Sequence, residues 1–408
     1  MVQGSDFPRR TGMDNERRFK AWNIADPALN REANGHHYWE AKSLVDELRS
    51  RGETVRLFSH RDAPAAEQFP GVEIIPTFSL HPLSNVSNDP VWSLFENFII
   101  HARALHGDLV ARDRSLFHNS VTLFPTLRGT QLLGIFRWLT DVPQEMRPKT
   151  AVCLRPPPDW SDRYARLHKI VWNNCPPALR EEIALFCRTP QVAAQFKKHT
   201  GIHTRVLPVP LPADALEWRP SSAQPLNAPM VVSFVGGARP ERGRELVADV
   251  VEQCSASGVR FFIQAKYESI AGTEADALSS LAGRPHVRVQ EGALERDDYY
   301  RAIADSVVLL AYDPVAYRWR DSGVYREALM LGAPVLVSAG TSIAEEVKRY
   351  GNGLIIEDFT APAIVDCIER AQRELPALRA AAARVAEEFR RTQGVARYIS
   401  TILEAFRH

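Results

Sequence analysis

One segment in the last quarter of the chain combines residue types that hold an anion with one that binds hydroxyl groups. Ser322 is a favoured N-cap residue, and the apolar residues behind it recur at the spacing of one helical face. A helix leaves the amides of its first turn unpaired, so Gly323, Val324 and Tyr325 form a predicted site for a phosphate or carboxylate. Glu327 lies on the same face as Gly323 and is placed to accept hydrogen bonds from hydroxyls beside that anion. A diphosphate joined to a ribose is a ligand of this kind.

A glycine-rich loop with two arginines follows a predicted strand at 230–235. The loop contains Gly236, Gly237, Arg239 and Arg242. In an open parallel sheet, ligands bind beside the loops at the carboxyl ends of the strands, so we expect this loop to lie near the Ser322 helix. Two guanidinium groups and free helix amides would hold a diphosphate and stabilise its charge as it leaves. The alternative is a solvated basic turn.

The elements that must position these residues follow the order of two α/β domains in tandem. The first domain opens with a predicted strand at 19–24, a loop containing a glycine, a helix from about 38 to 51 and a strand at 55–59, which is a βαβ unit. Further strands are predicted at 72–75, 109–110, 120–124, 151–154, 184–187 and 204–207, with helices at 89–105, 130–140 and 190–201. Strands of the second domain are predicted at 230–235, 260–264, 286–290, 307–311, 335–337 and 353–356. We therefore predict an α/β fold of two Rossmann-like domains that face each other across a cleft.

Prolines and polar residues mark the predicted boundary between the domains. Three prolines lie within residues 208–212, and a polar segment follows at 221–225. The predicted domains are 19–210 and 211–390. Residues 1–18 are polar and charged and are expected to form a disordered tail, whereas 391–408 contain a last helix that is expected to pack back on the first domain.

Composition excludes several classes of function. The chain has 408 residues, of which 45% are hydrophobic, so it can bury the cores of two ordinary domains. Its formal net charge is +1, which gives no general attraction for nucleic acid. The five cysteines are scattered and contain no C-x-x-C pair, so we expect reduced thiols in a cytoplasmic protein.

The sequence has no apolar run of the roughly 18 to 20 residues that cross a bilayer, so any membrane contact is expected to be peripheral. The predicted helix at 130–140 carries Arg137 and Trp138, which we consider for contact with a membrane surface or a hydrophobic acceptor. The alternative is a helix that faces the core with one exposed tryptophan. The expected location is the cytoplasm, with a peripheral contact at the inner face of the membrane.

A single histidine of the first domain is a candidate for the cleft. His118 follows the predicted strand at 109–110 and is expected to face the cleft, the alternative being a surface or packed histidine. His36 and His37 occupy adjacent positions, which do not converge on one metal ion. The sequence contains no H-E-x-x-H, C-x-x-C or D-x-D motif, so no metal site is predicted.

Four motifs resemble those of GT-B glycosyltransferases, most closely the retaining enzymes of glycosyltransferase family four. They are NGHHYWEAKSLVDELRSRGETVRLFS, TPQVAAQFKKHTGIHTRVLPVPLP, SFVGGARPERG and DSGVYREALMLGAPVLVSAGT. The resemblance spans nearly the whole chain after residue 19. It implies that the second domain binds a nucleotide-diphosphate sugar as donor, that the first binds an acceptor with a hydroxyl group, and that no cofactor is needed.

The resemblance also assigns residues to the predicted site. Arg242 stands in place of a lysine that binds the diphosphate, and Glu327 matches a glutamate that binds the ribose. The other predicted members are Gly323 and Val324 at the distal phosphate, Gly35 in a loop that approaches the donor, Gly292 and Leu294 at the base, His118 at the transferred sugar, and Gly236, Gly237, Arg239, Asp321 and Ser322 around the phosphates.

Two departures from the family pattern concern the transferred sugar and the donor loop. Trp319 stands where the family often has a second glutamate, and Asp321 is a candidate replacement. Gly237 stands where the family has an arginine, for which Arg239 is expected to compensate. The predicted activity is retaining, metal-independent glycosyl transfer. The alternatives are an inverting GT-B transferase, a GT-B sugar-nucleotide epimerase and a subunit that binds nucleotide sugars without catalysis.

Overall fold

The chain folds into two α/β units, each built on its own parallel sheet. The computed structural model describes residues 19–32, 35–82, 84–89, 91–156, 160, 162–219, 229–237, 239–254, 258–265, 278 and 281–407. One sheet has seven strands and the other has six, and every strand pairing is parallel. The predicted α/β fold of two domains is confirmed. The predicted tail at 1–18 and the polar segment at 221–225 lie outside the described residues.

The first sheet reverses its strand order near its centre. Its strands are β1 (Ala21–Ala25), β2 (Val55–His60), β3 (Glu73–Phe78), β4 (Ser120–Arg128), β5 (Lys149–Arg155), β6 (Ile183–Cys187) and β7 (Arg205–Val206). The helices between them are α1 (Gly35–Ser50), α2 (Ser93–Val110), α3 (Leu132–Asp141), α4 (Asp162–Asn174), α5 (Pro177–Arg180) and α6 (Pro190–Thr200). The order across the sheet is β3-β2-β1-β4-β5-β6-β7, so the carboxyl ends of β1 and β4 flank a crevice.

The second sheet repeats this arrangement. Its strands are β8 (Val231–Phe234), β9 (Arg260–Ala265), β10 (Val287–Glu291), β11 (Val307–Leu310), β12 (Val335–Ser338) and β13 (Gly353–Ile356). The helices are α7 (Ala213–Glu217), α8 (Arg244–Gln253), α9 (Arg296–Ala304), α10 (Gly323–Leu331), α11 (Ser342–Tyr350) and α12 (Ala361–Thr392). The order is β10-β9-β8-β11-β12-β13, so the crevice lies between the loops that follow β8 and β11.

Apolar residues cover both faces of each sheet, because helices pack on both sides of it. Val121 and Leu123 of β4 share a core with Leu44 of α1, whereas Phe124 of the same strand shares the opposite core with Leu139 of α3. The second sheet has the same two-sided packing. Near-continuous apolar strands in the sequence therefore correspond to strands that are buried on both faces.

The last helix, α13 (Val395–Glu404), packs on the first domain. Its Tyr398 is fully buried and lies in one core with Trp22 of β1. Just before this helix, the amide of Gly394 donates to the carbonyl of Val209 at 2.9 Å, so the two segments that join the domains run side by side. The backbone angle φ of Gly394 is 109°, a conformation that favours glycine.

The predicted strand at 109–110 is wrong, because α2 continues through these residues. Phe98, Ala102, Leu105 and Leu109 are all buried and recur at the spacing of one helical face. Leu109 and its neighbour Val110 are the last turn of this helix, and two apolar residues carry too little periodicity to distinguish a strand from a helix. The structure also contains α4, which was not predicted.

Both interpretations of Trp138, as a contact for a membrane or acceptor and as an exposed tryptophan on a helix that faces the core, are wrong. Trp138 is 1% exposed, and its ring lies 4.8 Å from that of Phe117 between centroids. It belongs to the buried face of α3 together with Ile135, whereas Arg137 between them points to solvent. The helix at 130–140 was predicted correctly, but the face that carries its tryptophan was not.

Candidate active site

The helix α10 begins at the crevice of the second sheet with its N-terminus open. Ser322 caps it in an extended conformation, and its Oγ accepts from the amide of Tyr325 at 3.3 Å. The hydroxyl of Tyr312 lies 3.0 Å from the same Oγ and fixes the cap from the β11 side. The cap uses one of the three amides in the predicted anion site, which leaves those of Gly323 and Val324. Gly323 is exposed, and an added Cβ would meet no atom within 4 Å.

Glu327 lies one turn further along α10 and is partly buried. The hydroxyl of Tyr299, on α9, donates to Glu327 Oε2 at 2.7 Å. Burial raises the pKa of Glu327 to about 7, although the Tyr299 hydrogen bond and the charge of Arg242 lower it. The pKa of Tyr299 is raised well above its ordinary value by burial and by Glu327, so the tyrosine remains a donor. A group that accepts hydrogen bonds is thus held beside the helix N-terminus.

Arg242 is held against the same helix N-terminus by aromatic residues. Its Nε donates to the Tyr317 hydroxyl at 3.0 Å, and its Nη1 donates to the Gly237 carbonyl at 3.3 Å. The guanidinium carbon lies 5.8 Å from the centroid of the Tyr312 ring. Tyr312 therefore contacts both the helix cap and the arginine.

At Gly236, the glycine-rich loop that follows β8 meets the helix α10. Its φ is 93°, and a Cβ at this position would lie 3.0 Å from Arg242 Nη1 and 3.1 Å from Val324 Cγ2. A side chain here would therefore displace the arginine, the first turn of α10, or both. This close approach explains why a glycine is required after β8.

Gln264 joins the two loops at this edge of the sheet. Its Oε1 accepts from the amide of Gly236 at 2.9 Å, and its Nε2 donates to the carbonyl of Gly292 at 3.1 Å. Gly292 lies at the end of β10 with a φ of 77°. The predicted phosphate loop and the predicted base loop, which also contains the partly buried Leu294, are therefore held in one arrangement.

Asp321 has a partner within the protein. Both of its carboxylate oxygens accept from Arg326 Nε, at 2.9 and 3.2 Å, and Oδ1 also accepts from the Ser322 amide. Arg326 is buried and forms two hydrogen bonds with Glu346, at 2.6 and 2.8 Å. This network positions the helix cap. The role of Asp321 in place of the glutamate missing at Trp319 remains a prediction.

Arg239 lies on the exposed side of the donor loop. Its Nη1 is 3.9 Å from Glu241 Oε1, and Arg320 approaches the same carboxylate oxygen at 3.8 Å. The side chain of Arg239 is 40% exposed and that of Arg320 is 56% exposed. The loop thus presents more than one cation, of which Arg242 is the most firmly held.

The expectation that His118 faces the cleft is wrong. His118 is exposed and lies just before β4, next to the point where the amide of Lys20 donates to the carbonyl of Asn119 ahead of β1. These positions form the amino edge of the sheet, opposite to the carboxyl ends where the crevice lies. The error follows from the misassigned strand at 109–110, because a residue that follows a helix and precedes a strand lies at the amino end of that strand.

A different histidine pair occupies the carboxyl edge of the first sheet. His37 Nδ1 lies 2.9 Å from Oδ2 of the buried Asp26, which directly follows β1. Arg155, at the end of β5, places Nη2 2.7 Å from His36 Nε2 and 3.5 Å from His37 Nε2. Burial, with the charges of His37 and Arg155, lowers the pKa of His36 to about 3, so it stays neutral. Gly35 begins the helix that carries both histidines.

The charge state of Asp26 suits this pairing. Burial alone would raise its pKa, but the charge and hydrogen bond of His37 and the amide of Ala28 lower it below the ordinary value. When His37 is neutral, its Nδ1–H donates to the ionised Asp26 and Nε2 is the acceptor. A cavity of about 150 Å³ opens beside the two rings and is also lined by His81.

The architecture matches solved structures of glycosyltransferases over nearly the whole chain. A sucrose-phosphate synthase from Thermosynechococcus elongatus has a TM-score of 0.63 at 14% identity, with 95% of this chain and 98% of that one covered. HepE from Anabaena, in complex with UDP, has a TM-score of 0.62 at 13% identity, with 94% and 98% covered. The chain has the GT-B fold. WaaG, a glycosyltransferase of lipopolysaccharide biosynthesis, has a TM-score of 0.52 at 15% identity, with 95% and 99% covered.

No protein-family model matches the chain, and no curated protein matches it in sequence. Structural matches at sequence identities this low establish the GT-B fold alone, so the activity has to be inferred from the site. The fold and the family resemblance therefore agree, while the roles of individual residues remain predictions.

Within the GT-B fold, the predicted donor residues converge and the predicted cleft histidine does not. Gly236, Arg242, Val324 and Glu327 surround one helix N-terminus, with contacts that join the loop to the helix. The predicted residues are held in place by four side chains that were not predicted, those of Gln264, Tyr299, Tyr312 and Tyr317. Only Gln264 carried a signal, as a polar residue that follows three apolar residues near the end of a strand.

The raised pKa of Glu327 predicts how its replacement affects stability. Below its ordinary value of 4.5 the carboxyl is protonated in both folded and unfolded chains. As the pH rises from there to about 7, the unfolded chain loses this proton first, so the folded state loses stability. Glu327→Gln should therefore raise the unfolding temperature of the unliganded protein at about pH 8 and leave it unchanged near pH 4.5.

Differential scanning fluorimetry across this pH range measures the effect. Glu345→Gln is the matched control, because Glu345 is exposed on α11 and pairs only with Lys348 among the described residues. An equal shift at both pH values for Glu327→Gln would contradict the raised pKa.

Proposed function

We propose that this protein is a glycosyltransferase that moves a sugar from a nucleotide-diphosphate sugar to a hydroxyl group of an acceptor. The observation that carries the proposal is the convergence of Arg242 and Glu327 on the open N-terminus of α10. The helix amides and the arginine supply the positive charge for a diphosphate, and Glu327 accepts hydrogen bonds from the adjoining ribose. The Anabaena neighbour is described with UDP and with UDP-glucose, so UDP-sugars are the first donors to test.

The proposed reaction is retaining and needs no metal ion. The bond between the anomeric carbon and the diphosphate oxygen breaks, and the acceptor oxygen bonds to the anomeric carbon from the same face. A diphosphate oxygen takes the acceptor proton. Arg242, Arg239 and the amides of Gly323 and Val324 stabilise the charge on the departing diphosphate, and domain closure excludes water.

Donor binding and transfer test different parts of this site. Thermal shift with UDP-, GDP-, ADP- and dTDP-sugars identifies the base, because a bound donor raises the unfolding temperature.

Glu327→Ala should weaken donor binding by about tenfold through loss of the ribose contacts. Arg242→Ala should slow transfer by about a hundredfold or more, because it removes charge stabilisation of the leaving group.

Arg373→Ala is the matched control, since Arg373 is exposed on α12 away from the crevice. Normal donor binding in Glu327→Ala together with normal turnover in Arg242→Ala would overturn the proposal. Nucleotide binding without turnover on any acceptor would support a non-catalytic binding subunit. Interconversion of a sugar nucleotide without an acceptor would identify an epimerase.

The Asp26–His37 pair favours an inverting transferase as a second candidate. An inverting reaction needs a base in the first domain, and a carboxylate that holds one imidazole nitrogen leaves the other as a proton acceptor. His37 Nε2 would take the proton from the acceptor hydroxyl while its oxygen attacks the anomeric carbon on the face opposite the diphosphate. In the retaining reaction the Asp26–His37 pair does not act as a base for the acceptor hydroxyl.

The anomeric configuration of the product decides between the two mechanisms. The retaining proposal predicts a product with the configuration of the donor, and it predicts that His37→Ala lowers turnover by less than about tenfold. An inverted product, with turnover reduced by about a hundredfold or more in both His37→Ala and Asp26→Asn, would establish the second candidate. Nuclear magnetic resonance of the first product formed measures the configuration directly.

The proposed location is the cytoplasm, with a peripheral contact between the first domain and the inner face of a membrane. No helix among the described residues is both long and apolar enough to cross a bilayer. Since Trp138 is buried, such a contact must use other residues of the first domain.

A further inference from the structure

An apolar stripe is exposed along the first half of α2. Trp92, just before the helix, is 60% exposed, and Phe95 and Ile99 are each 46% exposed. These residues follow the spacing of one helical face, which lies beside the face that Phe98 and Leu105 bury in the core. Large side chains exposed in a row on one helix are unusual for a surface that meets only water.

The neighbouring helices extend this surface. Leu133 on α3 is 39% exposed and Ile170 on α4 is 57% exposed. A groove of about 400 Å³ lies between these two helices, with Phe98 of α2, Phe136 of α3 and Val171 of α4 in its walls. We name the surface formed by Trp92, Phe95, Ile99, Leu133 and Ile170 the apolar face.

Each of the three helices carries an exposed arginine one turn away from an exposed aliphatic residue of this face. The pairs are Ile99 with Arg103, Leu133 with Arg137, and Ile170 with Arg166. Arg137 has a carboxylate nearby, as its Nη2 lies 3.6 Å from Asp141. Long arginine side chains can lie along apolar surface while their charged ends reach phosphate groups.

The apolar face begins at the same edge of the sheet as the crevice. α2, α3 and α4 each follow a parallel strand, so each begins at the carboxyl edge. Trp92 and Leu133 lie at the starts of their helices and are therefore nearest to that edge. A surface that binds this face therefore lies at the edge of the first sheet where the crevice opens.

We propose that the apolar face docks the protein on an anionic lipid bilayer, with the aliphatic and aromatic side chains in the headgroup region and the arginines against lipid phosphates. Apolar area and cationic charge together produce interfacial binding, and the groove has room for part of an acyl chain. A second copy of the chain fits less well, because a symmetric contact would bring the three arginines against each other. The inference deepens the peripheral contact in the proposed function and rests on it, but not on the transfer reaction.

Vesicle flotation of the full chain tests the proposal. The protein should float with phosphatidylcholine vesicles that contain about one-third phosphatidylglycerol, and less with phosphatidylcholine alone. Raising the salt from about 0.1 M to about 0.5 M should release it in part. The double variant Phe95→Ser/Ile99→Ser should bind the anionic vesicles at least about tenfold more weakly, and Arg103→Gln/Arg166→Gln roughly twentyfold more weakly.

Matched controls separate the apolar face from general surface effects. Val206→Ser removes a side chain with 37% exposure on the edge strand β7, and Arg373→Gln removes an exposed arginine of the second domain. Both should bind vesicles as the unaltered chain does. Circular dichroism and the unfolding temperature confirm that each variant is folded.

Absence of vesicle binding, or binding that the Phe95 and Ile99 changes leave intact, would overturn the proposal. The proposal would also be overturned if the protein does not bind vesicles and sedimentation shows a dimer that the Phe95 and Ile99 changes dissociate. Nucleotide binding measured on the same variants separates this inference from the transfer reaction. Loss of vesicle binding with normal nucleotide binding supports membrane docking through the apolar face. Vesicle binding without any nucleotide binding would contradict only the proposed transferase activity.

Discussion

An α-helix cannot satisfy the amides of its own first turn, and the candidate active site is arranged around two such amides, those of Gly323 and Val324. The strand order of the second sheet reverses between β8 and β11, which brings the start of α10 to the open crevice. Gly236 then allows the loop after β8 to approach within contact distance of Val324 and Arg242. If α10 began elsewhere, Arg242 and Glu327 would not lie together at a helix N-terminus.

Neutral tyrosines hold the charged groups of this site in position. Tyr299 donates to Glu327, and Tyr317 accepts from Arg242, so each of these charged side chains has a tyrosine hydroxyl as a hydrogen-bond partner. By contrast, Asp321 and Arg326 are committed to an ion network with Glu346 that stabilises the cap. The site thus separates the ion network that fixes the helix from the tyrosine contacts that position Arg242 and Glu327.

Local sequence signals predicted the fold and several of the residues that meet at the N-terminus of α10. Ser322 was predicted as the start of α10 because a helix cap depends on a few neighbouring residues. The contacts of Tyr299 with Glu327 and of Gln264 with Gly236 each span 28 residues, and no local pattern encodes such pairs. His118 was misplaced because the direction of β4 decides which edge a flanking residue joins, and the preceding helix had been read as a strand.

Binding of successively shorter nucleotides tests most directly whether the α10 N-terminus holds a diphosphate. Calorimetry would compare a nucleoside diphosphate, the matching monophosphate and the nucleoside, all with the base selected by the donor screen. Two backbone amides and one arginine on the distal phosphate predict that its removal weakens binding by about a hundredfold or more. Equal affinity for the diphosphate and the monophosphate would contradict the account.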